Sequence, residues 1–353
     1  MAVDSIRSAE AVRARGVSRP WRLVAGAFLA GSLLVGLGVG PVGIGAGGIV
    51  ESALSHVPLL HVHSPLSSLE EAVLWQIRAP RVVLAALVGG MLAIAGSTYQ
   101  GVFRNSLADP YLLGVAAGAG LGATLAITYG HVGRTGALLP LAAFVGGLAA
   151  VAAAYVLGRS AGAARAAGSF VLAGLTVTLF LTAIQTFVQQ QHTNTLRDVY
   201  SWLLGGFSTA TWGQVAVAAP YVAVSSTAIV LHRRMLDVLS VGDEEAASLG
   251  VNVARLRLLL VVAATAGTAA AVAMSGLIAF VGIIVPHTIR LLVSTSYRAV
   301  VPLSLVVGAG FLVLADVLAR TVVSPAELPI GVVTAFFGAP FFAVVLRTSR
   351  SAR

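Results

Sequence analysis

The chain has 353 residues, of which 58% are hydrophobic and only 10% are charged, and its formal net charge is +9. A soluble domain of this length would need far more surface charge, so the composition excludes a soluble protein and indicates several membrane spans. Lysine and cysteine are both absent. The chain therefore has no Walker A phosphate loop, no disulfide and no thiol nucleophile. If ATP drives this protein, another chain must hydrolyse it.

An arginine-rich tail precedes the first apolar run. Four arginines lie within the first twenty residues, and the apolar run begins near residue 23. The run is long for the core of a signal peptide, and no small-residue cleavage site follows it. We predict a cytoplasmic tail over 1–22 and a first spanning helix over 23–42.

Nine further apolar runs follow, and most reach the ~20 residues that a helix needs to cross a ~30 Å hydrocarbon core. They predict an all-α, multi-pass membrane domain over 23–347, a cytoplasmic tail over 348–353 and both termini on one side. The predicted spans are 23–42, 82–101, 111–130, 138–158, 169–190, 214–232, 256–275, 277–293, 302–320 and 331–347.

The arginines support this topology, because cytoplasmic segments of membrane proteins carry an excess of basic residues. The cytoplasmic side would hold seventeen, namely Arg7, Arg13, Arg15, Arg19, Arg22, Arg104, Arg159, Arg165, Arg233, Arg234, Arg255, Arg257, Arg290, Arg298, Arg347, Arg350 and Arg353. The outside would hold five, namely Arg78, Arg81, Arg134, Arg197 and Arg320. This asymmetry places both termini in the cytoplasm.

The first outside loop, 43–81, contains three histidines, His56, His61 and His63. A His-x-His motif can hold a metal ion, but no framework of carboxylates accompanies this one. Such short motifs are weak signals, so we interpret the segment as a solvated loop and predict no metal site.

The segment FRNSLADPYLLG, residues 103–114, separates the second and third spans. Asp109 suits an N-cap, and Pro110 suits the first position of a helix. Asn105 and Ser106 suit the preceding turn, which also includes Arg104. We predict a rigid structural turn that forms at most a secondary contact for a partner.

A second polar segment, LDVLSVGDEEAASLGVNVARLR, covers 236–257 and is too polar to span the membrane. Its residues 243–249 form a good short helix between Gly242 and Gly250. Three acidic residues at the start of this helix favour it through the helix dipole. We expect the helix to bind a partner. The alternative is an interfacial helix on the lipid, which acidic residues facing an anionic leaflet disfavour.

Few polar side chains fall inside the spans. The candidates are Gln100, Gln185, His287 and Asp316. An ion-coupled secondary transporter would need midplane carboxylates or broken helices around a compact site, and a membrane enzyme would need a paired acid and base or a metal cluster. Asp316 alone comes near the first requirement, and it falls near a helix end.

These segments together resemble the permease subunit of type II ABC importers, the family that carries iron–siderophore complexes, haem and cobalamin. The resemblance extends from about residue 70 to 347. The matching segments are IRAPRVVLAALVGGMLAIAGSTYQ (77–100), FRNSLADPYLLGVAAGAGLGA (103–123), GDEEAASLGV (242–251), SGLIAFVGIIVPHTIRLL (275–292), ADVLAR (315–320) and ELPIGVVTAFFGAPFF (327–342). The family usually has proline where this chain has Ser106.

The resemblance implies an ATP-driven importer in the plasma (inner) membrane of a bacterium. The permease would be a homodimer or half of a heterodimer, with its pathway at the subunit interface. Its partners would be two ATPase subunits, which bind ATP and Mg, and an extracytoplasmic binding protein. The chain itself would have no cofactor, no catalytic residue and no nucleic-acid partner. The cargo would be a ferric siderophore or haem, with cobalamin as the alternative.

The resemblance also implies roles for single residues. Residues that match the family's ATPase-coupling segment, about 236–255, are Asp243, Glu244, Glu245, Ala246, Leu249 and Gly250. The cytoplasmic gate would lie at Ala167, Gly168 and Ser169, where relatives may carry hydroxyl residues.

Three outward arginines, Arg78, Arg81 and Arg320, match the places at which the family's arginines meet carboxylates on a two-lobed binding protein. We expect them on the exposed rim, where single ion pairs contribute ~0–1 kcal/mol and one substitution does little. The alternatives are headgroup anchoring for Arg78 and Arg81, and an ion pair one helical turn away with Asp316 for Arg320.

Overall fold

The computed structural model describes residues 16–40, 42–57, 63–130, 138–160 and 167–351, and these residues form helices and connecting turns without a β-strand. The helices are α1 (Arg19–Gly38), α2 (Ala46–Ser55), α3 (Ser68–Ala72), α4 (Ala79–Phe103), α5 (Val115–Tyr129), α6 (Leu138–Ser160), α7 (Ala167–Gln191), α8 (Leu196–Leu203), α9 (Trp212–Leu231), α10 (Arg233–Val241), α11 (Asp243–Ser248), α12 (Val253–Ser275), α13 (Val281–Leu292), α14 (Tyr297–Thr321) and α15 (Ile330–Ser351). A π-helical segment, Val73–Arg78, joins α3 to α4.

The ten predicted spans correspond to ten apolar helices within the described residues. Seven are long enough to cross a membrane: α1, the continuous α3–α4 unit, α6, α7, α9, α12 and α14. The other three are shorter apolar stretches of 10–17 residues, namely α5, α13 and the part of α15 over Ile330–Val345. The prediction of an all-α protein with about ten membrane helices is confirmed.

Helix α4 occupies the centre of the bundle, and nearly all of its residues are buried. It packs closely because glycines replace larger side chains where backbones meet. A Cβ atom on Gly96 would lie 2.1 Å from the carbonyl oxygen of Gly282 in α13, and one on Gly89 would lie 2.3 Å from that of Gly308 in α14. Any side chain at these positions would push the helices apart.

Several helices lie where the sequence predicts loops. The segment 43–81 contains α2 and α3, and α3 begins with a capping box in which Ser67 and Glu70 bond each other's backbone N–H groups. Helix α10 precedes the predicted coupling helix and buries Leu236 and Leu239 against the bundle. These helices are too short or too polar to form apolar runs of spanning length, so the pattern of apolar residues does not predict them.

The contacts separate two ends of the bundle. At the coupling end, the last residues of α4 meet α10 and the first turn of α14, Arg104 after α4 meets α11, and α11 meets the first turns of α12. At the arginine end, the start of α4 meets the last residues of α1 and α14. Polar side chains join helices at both ends. At the arginine end the joining side chains are mostly buried, and at the coupling end they are partly exposed.

Candidate functional site

The predicted coupling helix, α11, covers Asp243–Ser248, one residue shorter than the sequence predicts, and Leu249 is its C-cap. It lies between Gly242 and Gly250, whose φ angles of 154° and 80° favour glycine. The three acidic residues occupy its first turn, where the helix dipole stabilises negative charge. The glycines therefore define both ends of a short helix that is separate in sequence from the membrane helices.

One side of α11 faces the bundle. A carboxylate oxygen of Asp243 lies 3.0 Å from Nη2 of Arg257 in α12 and 3.2 Å from Nη2 of Arg104 at the end of α4. Ala246 is completely buried. Asp243 and Ala246 thus hold the helix against the protein, although the sequence grouped them with the residues that bind the ATPase.

The other side of α11 is open. Glu244 and Glu245 are exposed, and so is Leu249 at 71% of its surface. Val241, just before the helix, is 70% exposed. We call Val241, Glu244, Glu245 and Leu249 the coupling surface. Two large apolar side chains exposed together in a polar segment suit contact with a partner, and the exposed carboxylates beside them can add charge complementarity.

A second carboxylate, Asp237 in α10, anchors the same segment to α14. It accepts hydrogen bonds from the backbone N–H of Tyr297 at 2.6 Å and from the hydroxyl of Ser296 at 2.9 Å. Arg298 lies 3.4 Å away. Nothing in the local sequence marks Asp237 as an anchor, because its partners are about sixty residues further along the chain.

The turn after α4 belongs to the coupling end. The side chain of Asn105 accepts a hydrogen bond from the N–H of Leu107, and that of Asp109 accepts one from the N–H of Tyr111. Asp109 caps a 3-10 helix, Pro110–Leu113, and α5 begins only at Val115. The predicted start of the third span, near 111, is therefore several residues too early. Arg104 joins this turn directly to Asp243.

Burial changes the acidity of Asp109. Burial raises the pKa of its carboxyl from 3.8 to about 6, although the hydrogen bond from the backbone of Tyr111 lowers it. Because the folded-state pKa lies above the ordinary value, this group makes the fold less stable as the pH rises from 3.8 to about 6. Above that range its contribution is constant.

At the arginine end, Arg81 is the centre of an ion cluster. Its Nε and Nη2 donate to the two oxygens of Asp316 at 2.8 and 2.9 Å. Its Nη1 and Nη2 donate to Glu327 at 2.8 and 3.0 Å. Nε of Arg320 lies 3.7 Å from Asp316, one helical turn away. The cluster joins α4, α14 and the segment before α15.

Two of the arginines also bind the end of α1. Arg78 donates to the carbonyls of Leu37 at 2.8 Å and Gly38 at 2.9 Å, and to that of Val42. Arg320 donates to the carbonyl of Gly36. Carbonyls at a helix C-terminus lack helical partners, and the dipole there favours a cation. These two side chains therefore cap α1.

The expectation that these arginines stand on an exposed rim is wrong. Arg78 and Arg81 are 4% and 8% exposed, and the side chain of Arg320 is 7% exposed. The sequence could not reveal this because Asp316 and Glu327 lie more than two hundred residues from Arg81. Docking of a binding protein through these arginines stays a prediction. The ion pair between Arg320 and Asp316, the alternative raised from the sequence, is present.

The structure gives few contacts for the predicted gate residues and for the histidines of the first loop. Ala167, Gly168 and Ser169 are the first residues of α7, and their side chains lie outside the described residues, so the gate stays a prediction. The ring of His56 packs 4.7 Å from that of Trp75, and His61 lies outside the described residues. In the described ranges no three His or acidic residues cluster as metal ligands would.

A family match identifies the chain. The FecCD transport family matches residues 28–348. The chain belongs to this family. It is 40% identical over 277 residues to the cobalamin import system permease of Halobacterium salinarum, which covers 78% of this chain and 74% of that protein. It is 38% identical over 293 residues to the hemin transport system permease of Yersinia pestis, with 78% and 84% covered.

A solved structure matches the fold of this FecCD chain as well. A metal-chelate type ABC transporter in an inward-facing conformation superposes with a TM-score of 0.81 at 29% sequence identity. The match covers 92% of this chain and 98% of that chain. The FecCD chain is therefore an ABC transporter permease with the expected fold. It is a transport subunit rather than an enzyme.

Proposed function

We propose that the chain is the membrane permease of an ATP-driven importer whose cargo is an iron chelate, either a ferric siderophore or haem. Cobalamin is the second candidate. Support for both comes from the relatives, which are named as permeases for hemin and for cobalamin, and from the metal-chelate type transporter of matching fold. The protein would lie in the bacterial plasma membrane with both termini in the cytoplasm.

The coupling surface is the observation that carries this proposal. The chain contains no lysine and therefore no Walker A loop, so a separate subunit must bind ATP and Mg. Helix α11 offers that subunit two carboxylates and two large apolar side chains, while Asp243 and Ala246 attach the helix to α4 and α12. Movement of the ATPase would reach these membrane helices through short, charge-assisted contacts.

The arginines support the orientation. The coupling end carries Arg104, Arg233, Arg234, Arg255 and Arg257, as expected for cytoplasmic segments. The opposite end would face the binding protein. There Glu327 leaves 39% of its side chain exposed beside buried Arg81. We propose that the ion cluster fixes the shape of this docking face, with its arginines held inside the bundle.

The pathway is proposed to lie between two permease copies. An open, largely apolar cavity of about 550 Å³ is lined by residues including Tyr111, Leu203, Leu277 and Phe336. Part of its wall is the non-helical linker 276–280, whose Ile278 backbone N–H and carbonyl both bond the Tyr111 hydroxyl. Irregular backbone at membrane depth is tolerated where protein buries it or it lines a cavity. The homodimer and the heterodimer both fit this geometry.

The ion-coupled alternative finds no support at its best candidate. Asp316, the acidic side chain closest to a span interior, is paired bidentately with Arg81 and contacts Arg320. Both of its carboxylate oxygens already accept hydrogen bonds from Arg81, so they are engaged in joining two helices. Asp316 therefore has a structural role in this proposal.

Reconstitution tests the function. The full chain, its ATPase and its binding protein would be placed in proteoliposomes, and uptake of a ferric siderophore, haem and cobalamin would be measured separately. We expect uptake of one of these ligands that requires ATP and the binding protein. Uptake driven by an ion gradient without ATP would contradict the proposal.

A further inference from the structure

A cavity of about 270 Å³ lies at the coupling end between α4, α6, α7 and α12. Its walls are largely apolar and include Phe103, Val151 and Phe170. Two arginines, Arg159 and Arg257, complete the lining. The proposed pathway cavity has an entirely different lining, so this cavity needs an explanation of its own.

The charges beside this cavity are unbalanced. The guanidinium of Arg159 is exposed and lies 5.8 Å from the centre of the Tyr155 ring. Arg257 shares a single carboxylate, that of Asp243, with Arg104. Among the described residues, Arg159 has no carboxylate within ion-pair distance. Of the two guanidinium groups that line the cavity, that of Arg159 is therefore left without a carboxylate among the described residues, which favours an anion at this position.

We infer that an anionic phospholipid binds here, with its phosphate at Arg159 beside Arg257 and part of one acyl chain in the cavity. Basic pockets between membrane helices on the cytoplasmic side bind anionic headgroups. The volume falls just below the ~300–1,000 Å³ of pockets that enclose whole small ligands, so it suits a segment of chain. Ala254 and Leu258 in the lining are exposed, which gives an acyl chain a way in.

The position of the site links the lipid to the coupling helix. Arg257 lines the cavity and also holds Asp243, the residue that anchors α11. A phosphate beside Arg257 would compete with Asp243 for the same guanidinium, so lipid composition would act on the coupling segment. This inference rests on the membrane assignment and on these contacts, and it needs neither the ATPase nor the cargo.

Native mass spectrometry of the full chain tests the site. The protein would be equilibrated with phosphatidylglycerol and phosphatidylcholine of identical acyl chains, and the retained lipid would be counted. We expect preferential retention of phosphatidylglycerol. Arg159→Gln should reduce it roughly fivefold, which is the ~1 kcal/mol expected for one arginine at an anionic surface. Ala254→Phe, which fills the mouth of the cavity without changing charge, should reduce it as well.

Arg255→Gln is the matched control, because Arg255 is exposed on the first turns of α12 and is outside the cavity lining. It should retain phosphatidylglycerol as the wild type does. Equal retention of phosphatidylcholine, or equal losses in the Arg159 and Arg255 variants, would overturn the inference. Inorganic phosphate that displaces the lipid equally well from wild type and Ala254→Phe would show a free-anion site and would also overturn it.

Discussion

The two ends of the bundle both carry charged side chains, but one end buries them in contacts between helices and the other leaves some of them exposed. At the arginine end, Arg78, Arg81 and Arg320 all point inward and find carboxylates or helix-end carbonyls. At the coupling end, Asp243 points inward while Glu244 and Glu245 stay exposed. Charged residues at one end are thus devoted to holding helices together, and at the other end some remain available to a partner.

The difference shows how to separate structural charges from docking charges. A charge whose partners are inside the chain and shielded from water contributes to the fold, and its loss leaves the partner unpaired. An exposed charge contributes little to the fold and can serve recognition. The following predictions apply this distinction, beginning with the largest expected effect.

Removal of the central arginine should destabilise the fold. Arg81→Gln leaves Asp316 and Glu327 without their main partner, and breaking a buried ion pair costs about 3–5 kcal/mol. The measurement is chemical or thermal unfolding of the purified chain in detergent. Arg197→Gln is the control, because Arg197 in α8 is exposed. Equal stability of the two variants would show that the cluster contributes nothing to the fold.

Disruption of the coupling surface should instead weaken assembly. Glu245→Arg reverses one exposed charge, and Leu249→Asp places a new charge against the ATPase. Loss of interface anchors costs about 2 kcal/mol or more, which lowers the affinity for the ATPase more than tenfold. The assay is co-purification with the ATPase, with unfolding measured on the same sample. Glu51→Arg with Leu69→Asp makes the same exchange at exposed positions outside the coupling segment. Normal assembly of the coupling variant would refute the surface.

Removal of the Asp243 carboxylate, which holds α11 against the bundle, should reduce transport per ATP more than it reduces assembly with the ATPase. Asp243→Asn loses its ion pairs to Arg104 and Arg257, and these are partly exposed, so we expect a cost of about 1 kcal/mol. ATPase binding should persist, while the amount of cargo moved per ATP falls. Asp243→Glu, which retains the charge, should recover part of the yield. Unchanged transport per ATP in Asp243→Asn would rule out this anchoring role.

The smallest effect concerns the end of the coupling helix. Gly250 has a φ of +80° with open space around it, so Gly250→Ala meets strain of about 1 kcal/mol but no clash. We expect a slight loss of ATPase affinity. Gly26→Ala in α1, where the added methyl group would meet no other part of the described chain within 4 Å, is the control and should leave affinity unchanged. The same affinity in Gly250→Ala as in Gly26→Ala would mean that the conformation of Gly250 is unimportant.

Much of this architecture follows from local sequence. Apolar runs predict the ten membrane helices, and the glycines around Asp243–Ser248 predict a separate helix. Whether a charged side chain is buried in an ion pair or exposed cannot be predicted from local sequence, because it depends on partners far away in the chain. The residues around Arg81 do not indicate that it pairs with Glu327, and those around Asp237 do not indicate that it accepts a hydrogen bond from Tyr297. The beginning of α13 is equally hidden, since Phe280 adopts a positive φ of 70° that residue type does not predict.

The central claim, that the outward side of α11 contacts the ATPase, can be tested by cross-linking, because the chain has no cysteine of its own. Single variants Leu249→Cys and Ala246→Cys would place a thiol on the exposed and on the buried side of the same segment. The assembled transporter would be treated with a short thiol-to-amine cross-linker. The account predicts that the Leu249 variant cross-links to the ATPase and the Ala246 variant does not. No cross-link from the Leu249 variant in a transporter that still hydrolyses ATP and imports cargo would contradict it.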